Sequence, residues 1–273
     1  GDTEYAREVF EFLKDKGKEN ILINIYLGMM YRETGEYEAA VDAYEAAFSE
    51  SPGDELILYR TAILNIQAGN ESRGRELLAL LARSFPHSPL LQSGEAEHAL
   101  AFQYLQRGEY QKALDHGLII LKKNPQDVPI RLIVAEAYRE LGYTDRAFNH
   151  FNRAVERDRT NFHAHFGLSM IWWELGEYEK MLHQLDKILH YDPGNDSARY
   201  YRVVCRSKLP IESTVILHEL HAAIKEFGTD PLLVQAVAET YEDEGQFDTA
   251  VKWYRKCATL APENAEVYRA LID

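Results

Sequence analysis

The sequence predicts an all-α fold made of stacked helix pairs. A turn residue recurs along the chain at nearly constant spacing; it is Gly35, Gly69, Gly108, Gly142, Gly176, Pro210 and Gly245. The intervals are 34, 39, 34, 34, 34 and 35 residues, and prolines keep the same period. A fixed period of this size indicates a repeat architecture, in which each helix pair buries its apolar face against its neighbours.

The period divides the chain into seven full repeats, each a first helix, a turn and a second helix. The repeats are residues 21–54, 55–88, 94–127, 128–161, 162–195, 196–230 and 231–264. Residues 1–20 have the pattern of a second helix without its first helix, so we expect the chain to have been cut from a longer protein. Residues 265–273 start a further helix, which either caps the array or begins a truncated repeat. We therefore expect residues 1–273 to form a single array.

Five extra residues, 89–93, precede the repeat that starts at residue 94. Ser88 can cap a helix whose first position is Pro89. Leu91 lies on the same helical stripe as Phe102. The insertion is therefore predicted to extend the first helix of that repeat, although Gly94 can break it.

The repeat at 196–230 is the least regular. Arg202 and Arg206 occupy columns that are apolar or aromatic elsewhere, and one residue is added after Pro210. A shift of the second helix by one residue restores its apolar stripe, which is then Ile216, Leu220 and Ala223.

The repeats agree in five or more columns once they are placed in register, and three of these columns show the pattern. Small residues recur in the first helices, at Gly28, Ala62, Ala101, Ala135, Ser169 and Ala238. A large residue follows three positions later, at Tyr31, Tyr104, Tyr138, Trp172 and Tyr241. The second helices carry alanine at Ala40, Ala113, Ala147 and Ala250. Over its whole length the chain resembles the tetratricopeptide-repeat family, whose period is 34 residues. The resemblance implies a right-handed α-α superhelix in which the first helices line a concave groove that holds the ligand.

Groove positions that stacking does not need are mostly apolar or aromatic, and they become acidic near the C-terminus. They are Ile25, Met29, Tyr59, Ile63, His98, Phe102, Leu105, Leu132, Phe166, Met170, Trp173, Tyr200, Glu239 and Glu242. One interpretation is that tight curvature buries these side chains against one another. The other is a binding surface for an apolar or amphipathic segment of a protein partner, because aromatic residues and Met are enriched in interface cores. We favour the binding surface, with basic partner residues meeting the acidic end.

The co-chaperone branch of this family grips a C-terminal carboxylate with Lys, Asn and Arg at fixed groove positions, because the carboxylate requires cationic partners. The matching positions here are Ile25, Met29, Arg60, Glu95 and Ala99. The clamp is therefore absent, and we expect no binding of a chaperone tail.

Metal binding and catalysis are not expected. His218 and His221 lie three residues apart on one predicted helix, but zinc needs three or four convergent ligands and no cysteine pair supports the site. Cys205 and Cys257 are interpreted as buried small hydrophobes. No glycine-rich phosphate loop occurs, since three of the six turn glycines are followed by Glu-Tyr and none by Lys-Ser. We predict no cofactor and no enzyme activity.

The formal charge of −14 disfavours a nucleic-acid surface, which needs clustered Lys and Arg. No run of about eighteen apolar residues occurs, so we expect no direct membrane insertion. The predicted function is a scaffold that binds a protein or peptide partner. Two alternatives stay open: a substrate-recruiting or regulatory arm of a larger enzyme or membrane complex, and a self-associating homo-oligomer. A cytoplasmic location is the default, with a periplasmic one left open.

Overall fold

The computed structural model describes residues 2–16 and 20–272. Within these ranges the chain forms sixteen α-helices, one short 3-10 helix at Pro89–Gln92 and no β-strand, so the predicted all-α class is confirmed. The first helices of the pairs are α2 (Ile21–Glu33), α4 (Glu55–Gln67), α6 (Glu95–Gln106), α8 (Val128–Glu140), α10 (Phe162–Glu174), α12 (Asp196–Ser207), α14 (Pro231–Asp243) and α16 (Ala265–Ala270). The second helices are α1 (Asp2–Asp15), α3 (Tyr37–Glu50), α5 (Glu71–Ser84), α7 (Tyr110–Lys123), α9 (Thr144–Arg157), α11 (Tyr178–Tyr191), α13 (Ser213–Phe227) and α15 (Phe247–Leu260).

The first helices share a polar start signal. All of them except α6 begin after an Asn or Asp whose side chain accepts a hydrogen bond from a backbone N–H of the first turn; these residues are Asn20, Asp54, Asp127, Asn161, Asn195, Asp230 and Asn264. A cap of this kind contributes about 0.5–2 kcal/mol. The turn glycines end six of these helices with φ between 70° and 89°, a left-handed conformation that other residues adopt at a cost.

The chain divides into two compact units, residues 1–143 and 144–273. Unit 1 holds α1 to α8 and unit 2 holds α9 to α16. Each unit is described by itself below. The predicted single array over residues 1–273 stays a prediction.

In unit 1 the repeat at 55–88 has Gly74 where other second helices have alanine, and its packing depends on that glycine. A Cβ atom at Gly74 would lie 2.5 Å from Cγ1 of Ile66 and 2.8 Å from the carbonyl oxygen of Ala62. Only glycine therefore lets α5 approach α4 this closely. Asn65 stands where other repeats have an aromatic residue, and its amide donates to Glu45 at 3.1 Å, so the buried polar group is satisfied.

The prediction that the insertion extends the first helix is wrong. Residues Pro89–Gln92 form a separate 3-10 helix, and α6 begins only at Glu95. Gly94 lies between them with φ of 77°, outside the helical region, so the helix cannot run through it. Leu90 and Leu91 pack against the core formed by α4 and α5 instead of continuing the stripe of α6.

In unit 2 the predicted one-residue shift of the irregular repeat is confirmed, since Ile216, Leu220 and Ala223 are buried on α13. The two arginines of α12 that replace apolar residues form ion pairs. Arg202 lies 2.9 Å from Asp186 of α11, and Arg206 donates to Glu219 of α13 at 2.9 and 3.1 Å. Charge pairing therefore stands where other repeats use apolar contact.

Candidate functional site

We define the inner face as the surface formed by first-helix side chains. In unit 1 the first helices α4 and α6 pack directly against each other. As a result Tyr59 and Ile63 are buried, each 1% exposed. The hydroxyl of Tyr59 lies 2.6 Å from Ser93 Oγ and donates to Glu95 at 3.2 Å. Two of the residues predicted for partner contact thus belong to the core, and the proposed surface excludes them.

A pocket of about 220 Å³ opens on unit 1 between α2 and α4. It is lined by Ile25, Met29, Arg32, Tyr44, Leu56, Ile57 and Arg60. Met29 is 45% exposed and Leu56 is 52% exposed, so the pocket has an accessible apolar wall. Arg32 and Arg60 lie 3.4 and 3.1 Å from Oε1 of Glu95, which partly neutralises the cationic side. We call this the α2–α4 pocket.

Of the other predicted residues of unit 1, three are at least partly accessible and one is held by structural contacts. Phe102 is 43% exposed and accessible, and Leu105 and Leu132 are half-buried. His98 has a structural position instead, because Nε2 lies 2.8 Å from Asp127, the cap of α8, and Nδ1 lies 2.7 Å from the Gly94 carbonyl oxygen. The imidazole therefore links the start of α6 to the start of α8.

Unit 2 carries a second inner-face pocket of about 340 Å³, which we call the Trp173 pocket. Its apolar side is formed by Trp173, Tyr178, Val204, Leu232 and Ala236. Its polar side is formed by Lys208, Gln235, Glu239, Asn264 and Glu266. Leu232 is 39% exposed, so part of the apolar side faces solvent.

A chain of hydrogen bonds fixes the polar side of the Trp173 pocket. Lys208 Nζ donates to Oε2 of Glu239 at 2.5 Å, and Gln235 Nε2 donates to Oε1 at 3.0 Å. Asn264 Nδ2 then donates to Gln235 at 2.9 Å. Both carboxylate oxygens of Glu239 are therefore engaged, and a basic group of a partner must compete with Lys208 for them.

Three predicted aromatic or sulfur-containing residues of α10 pack partly into the core of unit 2. The ring of Phe166 stacks on the ring of Phe162, with 5.4 Å between the ring centroids. It also packs in a T-shaped arrangement with the ring of Tyr201, again with 5.4 Å between the centroids. Met170 packs against the same core cluster. Trp173 packs against two core clusters, one formed by α11 and α12 and the other by α12, α13 and α14, and keeps only part of its surface for the pocket.

Tyr200 and Glu242 do not line the Trp173 pocket. The Tyr200 hydroxyl donates to Asp230, the residue that caps α14, and burial raises the pKa of Tyr200 well above its usual range. Glu242 accepts a hydrogen bond at 2.5 Å from Tyr254 of α15, the second helix of its own pair. The structure thus brings Trp173 and Glu239 into one pocket and leaves these two residues with structural contacts.

Sequence reasoning missed the accessible leucines and Lys208. Leu22, Leu56 and Leu232 each stand at the second position of a first helix and are 60%, 52% and 39% exposed. Stacking does not need an apolar residue at this position, so its recurrence was a usable signal. Lys208 lies at the end of α12 in the least regular repeat, and no column pointed to it.

Within the described ranges no three His, Cys, Asp or Glu side chains are placed to hold a metal ion. Cys205 and Cys257 are fully buried and unpaired, as predicted. Burial raises the pKa of Cys205 to about 11. In the same part of the chain no helix is long and apolar enough to span a membrane.

Models of the tetratricopeptide repeat match residues 21–160, 134–195 and 231–273 of the chain. The first of these matches alone covers about half of the sequence. The chain belongs to the tetratricopeptide-repeat family. As a tetratricopeptide-repeat (TPR) protein it has the fold of protein–protein interaction scaffolds, whose stacked repeats present extended binding surfaces.

Two curated TPR relatives are longer than this chain. The tetratricopeptide repeat and J domain-containing co-chaperone DNJ1 of Cryptococcus neoformans var. grubii is 22% identical over 183 residues, which are 65% of this chain and 35% of the relative. The protein CTR9 homolog of Arabidopsis thaliana is 19% identical over 256 residues, which are 91% of this chain and 20% of the relative. The chain therefore spans about a third of the first relative and a fifth of the second.

Among solved structures, the TPR chain is similar to one from the APC/C hetero-tetramer Cut9–Hcn1. The similarity has a TM-score of 0.67 at 12% identity and covers 99% of this chain and 52% of that one. At this identity the likeness establishes the fold alone.

Proposed function

We propose that this TPR protein binds an apolar or amphipathic segment of a protein partner on the inner face of its first helices. The observation that carries the proposal is the Trp173 pocket, which is lined both by accessible apolar side chains and by a hydrogen-bonded polar chain. An apolar anchor of the partner packs against Trp173 and Leu232. Its polar flank meets Gln235 and Glu239.

The size of the Trp173 pocket limits what enters it. Its volume of about 340 Å³ lies at the lower end of the range of ligand pockets, which is about 300–1,000 Å³. It therefore fits one anchor side chain with its adjoining backbone rather than a whole helix. Interface energy is usually concentrated in a few such anchors, so one pocket suffices to fix the position of a segment.

Unit 1 offers an anchor site of its own in the α2–α4 pocket. Its volume of about 220 Å³ and the exposed side chains of Met29 and Leu56 suit a smaller apolar group. Phe102 adds an exposed aromatic ring on α6. We propose Ile25, Met29, Phe102, Leu105 and Leu132 as the contact residues of unit 1. Tyr59 and Ile63 support them from the core, and His98 links α6 to α8.

The test compares two leucines of equal exposure in unit 2. Leu232 in the pocket is 39% exposed, and Leu260 on α15, outside it, is 41% exposed. The partner's binding segment is first located by crosslinking and mass spectrometry, and its affinity is then measured by isothermal titration. We expect Leu232→Ala to weaken binding about tenfold, since truncation of an anchor costs more than about 1 kcal/mol. Leu260→Ala should change affinity less than twofold. Equal affinity of the two variants would reject the Trp173 pocket as the site.

A second candidate function is that the chain is one arm of a larger protein. Both curated relatives are much longer than this chain, and the name of one of them includes a J domain. We propose that the TPR region would then recruit a substrate or partner for an activity carried elsewhere. The sequence of the complete reading frame tests this, because an appended catalytic or membrane domain favours it and its absence rejects it.

Self-association is the third reading. Phe12 of α1 is 59% exposed and Leu22 of α2 is 60% exposed, and neither lines the α2–α4 pocket, so unit 1 presents further apolar surface. Light scattering over a dilution series tests it, and a monomer at every concentration rejects it. The absence of nucleic-acid binding, the lack of enzyme activity and the cytoplasmic location stay predictions.

A further inference from the structure

A polar pocket of about 650 Å³ lies on unit 2 between the second helices α9 and α11. It is lined by Asn149, Asn152, Arg153, Val155, Glu156, Arg159, His165, Lys187 and Tyr191. We call it the Arg153 pocket. It shares no lining residue with the Trp173 pocket, so the two pockets are separate. None of the residues predicted for partner contact lines it.

The helical period brings the donors of the pocket together. Asn149, Asn152, Arg153 and Glu156 have the spacing i, i+3, i+4 and i+7, which places them on one stripe of α9. Lys187 and Tyr191 are four residues apart on α11 and line the opposite wall. Three cations, two side-chain amides and one phenol therefore converge on the same space. All of these groups can donate hydrogen bonds.

The turn that carries Arg159 is held in place from beneath. His165 is buried, at 2% exposed, and its Nε2 lies 3.0 Å from the Arg159 carbonyl oxygen. Its Nδ1 lies 2.9 Å from Oε1 of Gln184 on α11. The imidazole thus links α10, the turn and α11, so the backbone of Arg159 is fixed at the pocket mouth.

The cations of this pocket are not neutralised by neighbouring carboxylates. In the described part of the chain, Arg153, Arg159 and Lys187 take part in no ion pair. A neighbouring pocket between α12 and α13 differs, because its Arg199 lies 2.6 Å from Glu226 and its Arg202 lies 2.9 Å from Asp186. Glu156 is the one carboxylate that lines the Arg153 pocket, so its local charge is positive. The chain as a whole has a net charge of −14.

We propose that the Arg153 pocket binds an oxyanion on a segment of a protein partner, either a phosphorylated side chain or a carboxylate of an acidic stretch. Arginine guanidinium groups match the planar oxygens of both groups in bidentate geometry. The amides of Asn149 and Asn152 supply further donors. A nucleic acid fits less well, because it needs cations spaced along several phosphates, whereas these three surround one space.

The probes are three synthetic peptides of one neutral sequence that differ at the central residue, which is phosphoserine, glutamate or serine. Fluorescence polarisation at low salt, with the full chain, is expected to show binding of the phosphoserine peptide at least tenfold tighter than the serine peptide. If the glutamate peptide binds as tightly as the phosphoserine peptide, the source of the oxyanion is an acidic side chain. Equal affinity for all three peptides overturns the proposal.

Two matched double variants separate this site from general charge attraction. Arg153→Gln with Lys187→Gln should weaken phosphoserine-peptide binding at least tenfold. Lys252→Gln with Arg255→Gln removes the same charge from exposed positions on α15 and should change affinity less than twofold. Equal weakening by both pairs overturns the proposal, as does displacement of the peptide by a single-stranded RNA at lower concentration.

One variant is expected to increase the affinity for the phosphoserine peptide, a result that misfolding cannot produce. Glu156→Gln removes the only carboxylate that lines the pocket, so phosphoserine-peptide affinity should rise about threefold. The serine peptide should show no change. A loss of affinity in a variant whose circular dichroism matches the parent chain would contradict the arrangement of charges that we infer.

Discussion

The ammonium group of Lys208 lies 2.5 Å from Oε2 of Glu239 and completes the polar side of the Trp173 pocket. The two side chains are 27% and 30% exposed, so solvent only partly screens the pair. In the proposed function this contact decides which charge the partner carries beside its apolar anchor. With Lys208 in place, Glu239 is already neutralised and a basic partner residue gains little.

The first prediction is that Lys208→Met changes charge preference rather than affinity in general. The change leaves Glu239 without its cation, so a peptide with Lys beside a leucine anchor should bind about three- to tenfold tighter, roughly 0.7–1.4 kcal/mol. A peptide with Glu at that position should bind more weakly. Isothermal titration of the two peptides against both chains measures the difference. Lys252→Met, an exposed lysine of α15, serves as the control and should leave the preference unchanged.

The second prediction concerns the contact between Gly167 and Phe151. A Cβ at Gly167 would lie 2.3 Å from Cε1 and Cζ of the buried Phe151 ring. Gly→Ala within a helix gains about 1 kcal/mol from backbone entropy. Overpacking a core costs about 1–3 kcal/mol, and a contact of 2.3 Å places this site in the upper part of that range, about 2–3 kcal/mol. After subtraction of the entropic gain, we expect Gly167→Ala to lower the free energy of unfolding by about 1–2 kcal/mol.

Urea unfolding of the full chain measures this effect. Gly194→Ala is the control, because a Cβ there meets nothing closer than 3.7 Å and its φ is ordinary. Phe151→Leu should reduce the cost of Gly167→Ala, since the two changes act on one contact and are not additive. A Gly167→Ala chain as stable as the parent would show that the Phe151 ring can move aside.

The spacing of turns and small residues was sufficient to predict the fold. Phe162 and Pro231 begin α10 and α14 at the positions that the period indicates, and Gly28 is buried against Tyr44 in the column of small residues. Such columns are predictable because the residues in each column make the same contact between the two helices of their own pair. The burial of Tyr59 was not predictable in this way, since it depends on how closely α4 and α6 approach each other.

The candidate site was predicted only in part, for a related reason. The groove-facing positions of a single helix can be predicted from its own sequence. Trp173 and Lys208 line one pocket only because α10, α12 and α14 come together there, which no single helix shows. The Arg153 pocket left no sequence signal either, because Arg153 and Lys187 are ordinary surface residues of separate second helices. Gly94 indicates a possible break in the helix, but the apolar stripe through Leu91 and Phe102 favours one continuous helix. The structure has the break.

The third prediction is that the two cysteines react slowly in the folded chain. Cys205 is fully buried and its Sγ donates to the Tyr178 carbonyl oxygen at 3.1 Å. Burial raises the pKa of Cys205 to about 11, so about one thiol in a thousand is ionised at pH 8. Labelling by a thiol-disulfide reagent should be more than about a hundredfold slower than in urea, where the pKa returns to about 8.5. Rapid labelling of both cysteines without denaturant would contradict their burial.

The fourth prediction is a pH dependence that arises from Glu71 at the start of α5. Its carboxylate accepts hydrogen bonds from the Tyr104 hydroxyl at 2.7 Å and from Arg75 at 2.8 Å. The Tyr104 bond, followed by Arg75, lowers the pKa of Glu71 below its usual value of 4.5. Because the folded pKa is the lower one, this contribution to stability is present above about pH 4.5 and is lost as the pH falls through the folded pKa.

Glu71→Gln should therefore lower the free energy of unfolding by roughly 1 kcal/mol at pH 7, and the deficit should shrink as the pH falls below about 4.5. Urea midpoints of parent and variant between pH 7 and pH 3 measure this difference, in which the acids common to both chains cancel. Glu38→Gln is the control: Glu38 also stands in the first turn of a second helix, but it is exposed. The helix dipole acts on both residues, so the contacts of Glu71 with Tyr104, Arg75 and, at 3.7 Å, Arg107 distinguish them. A deficit that stays constant down to pH 3 would mean that the Glu71 contacts act through packing rather than through charge.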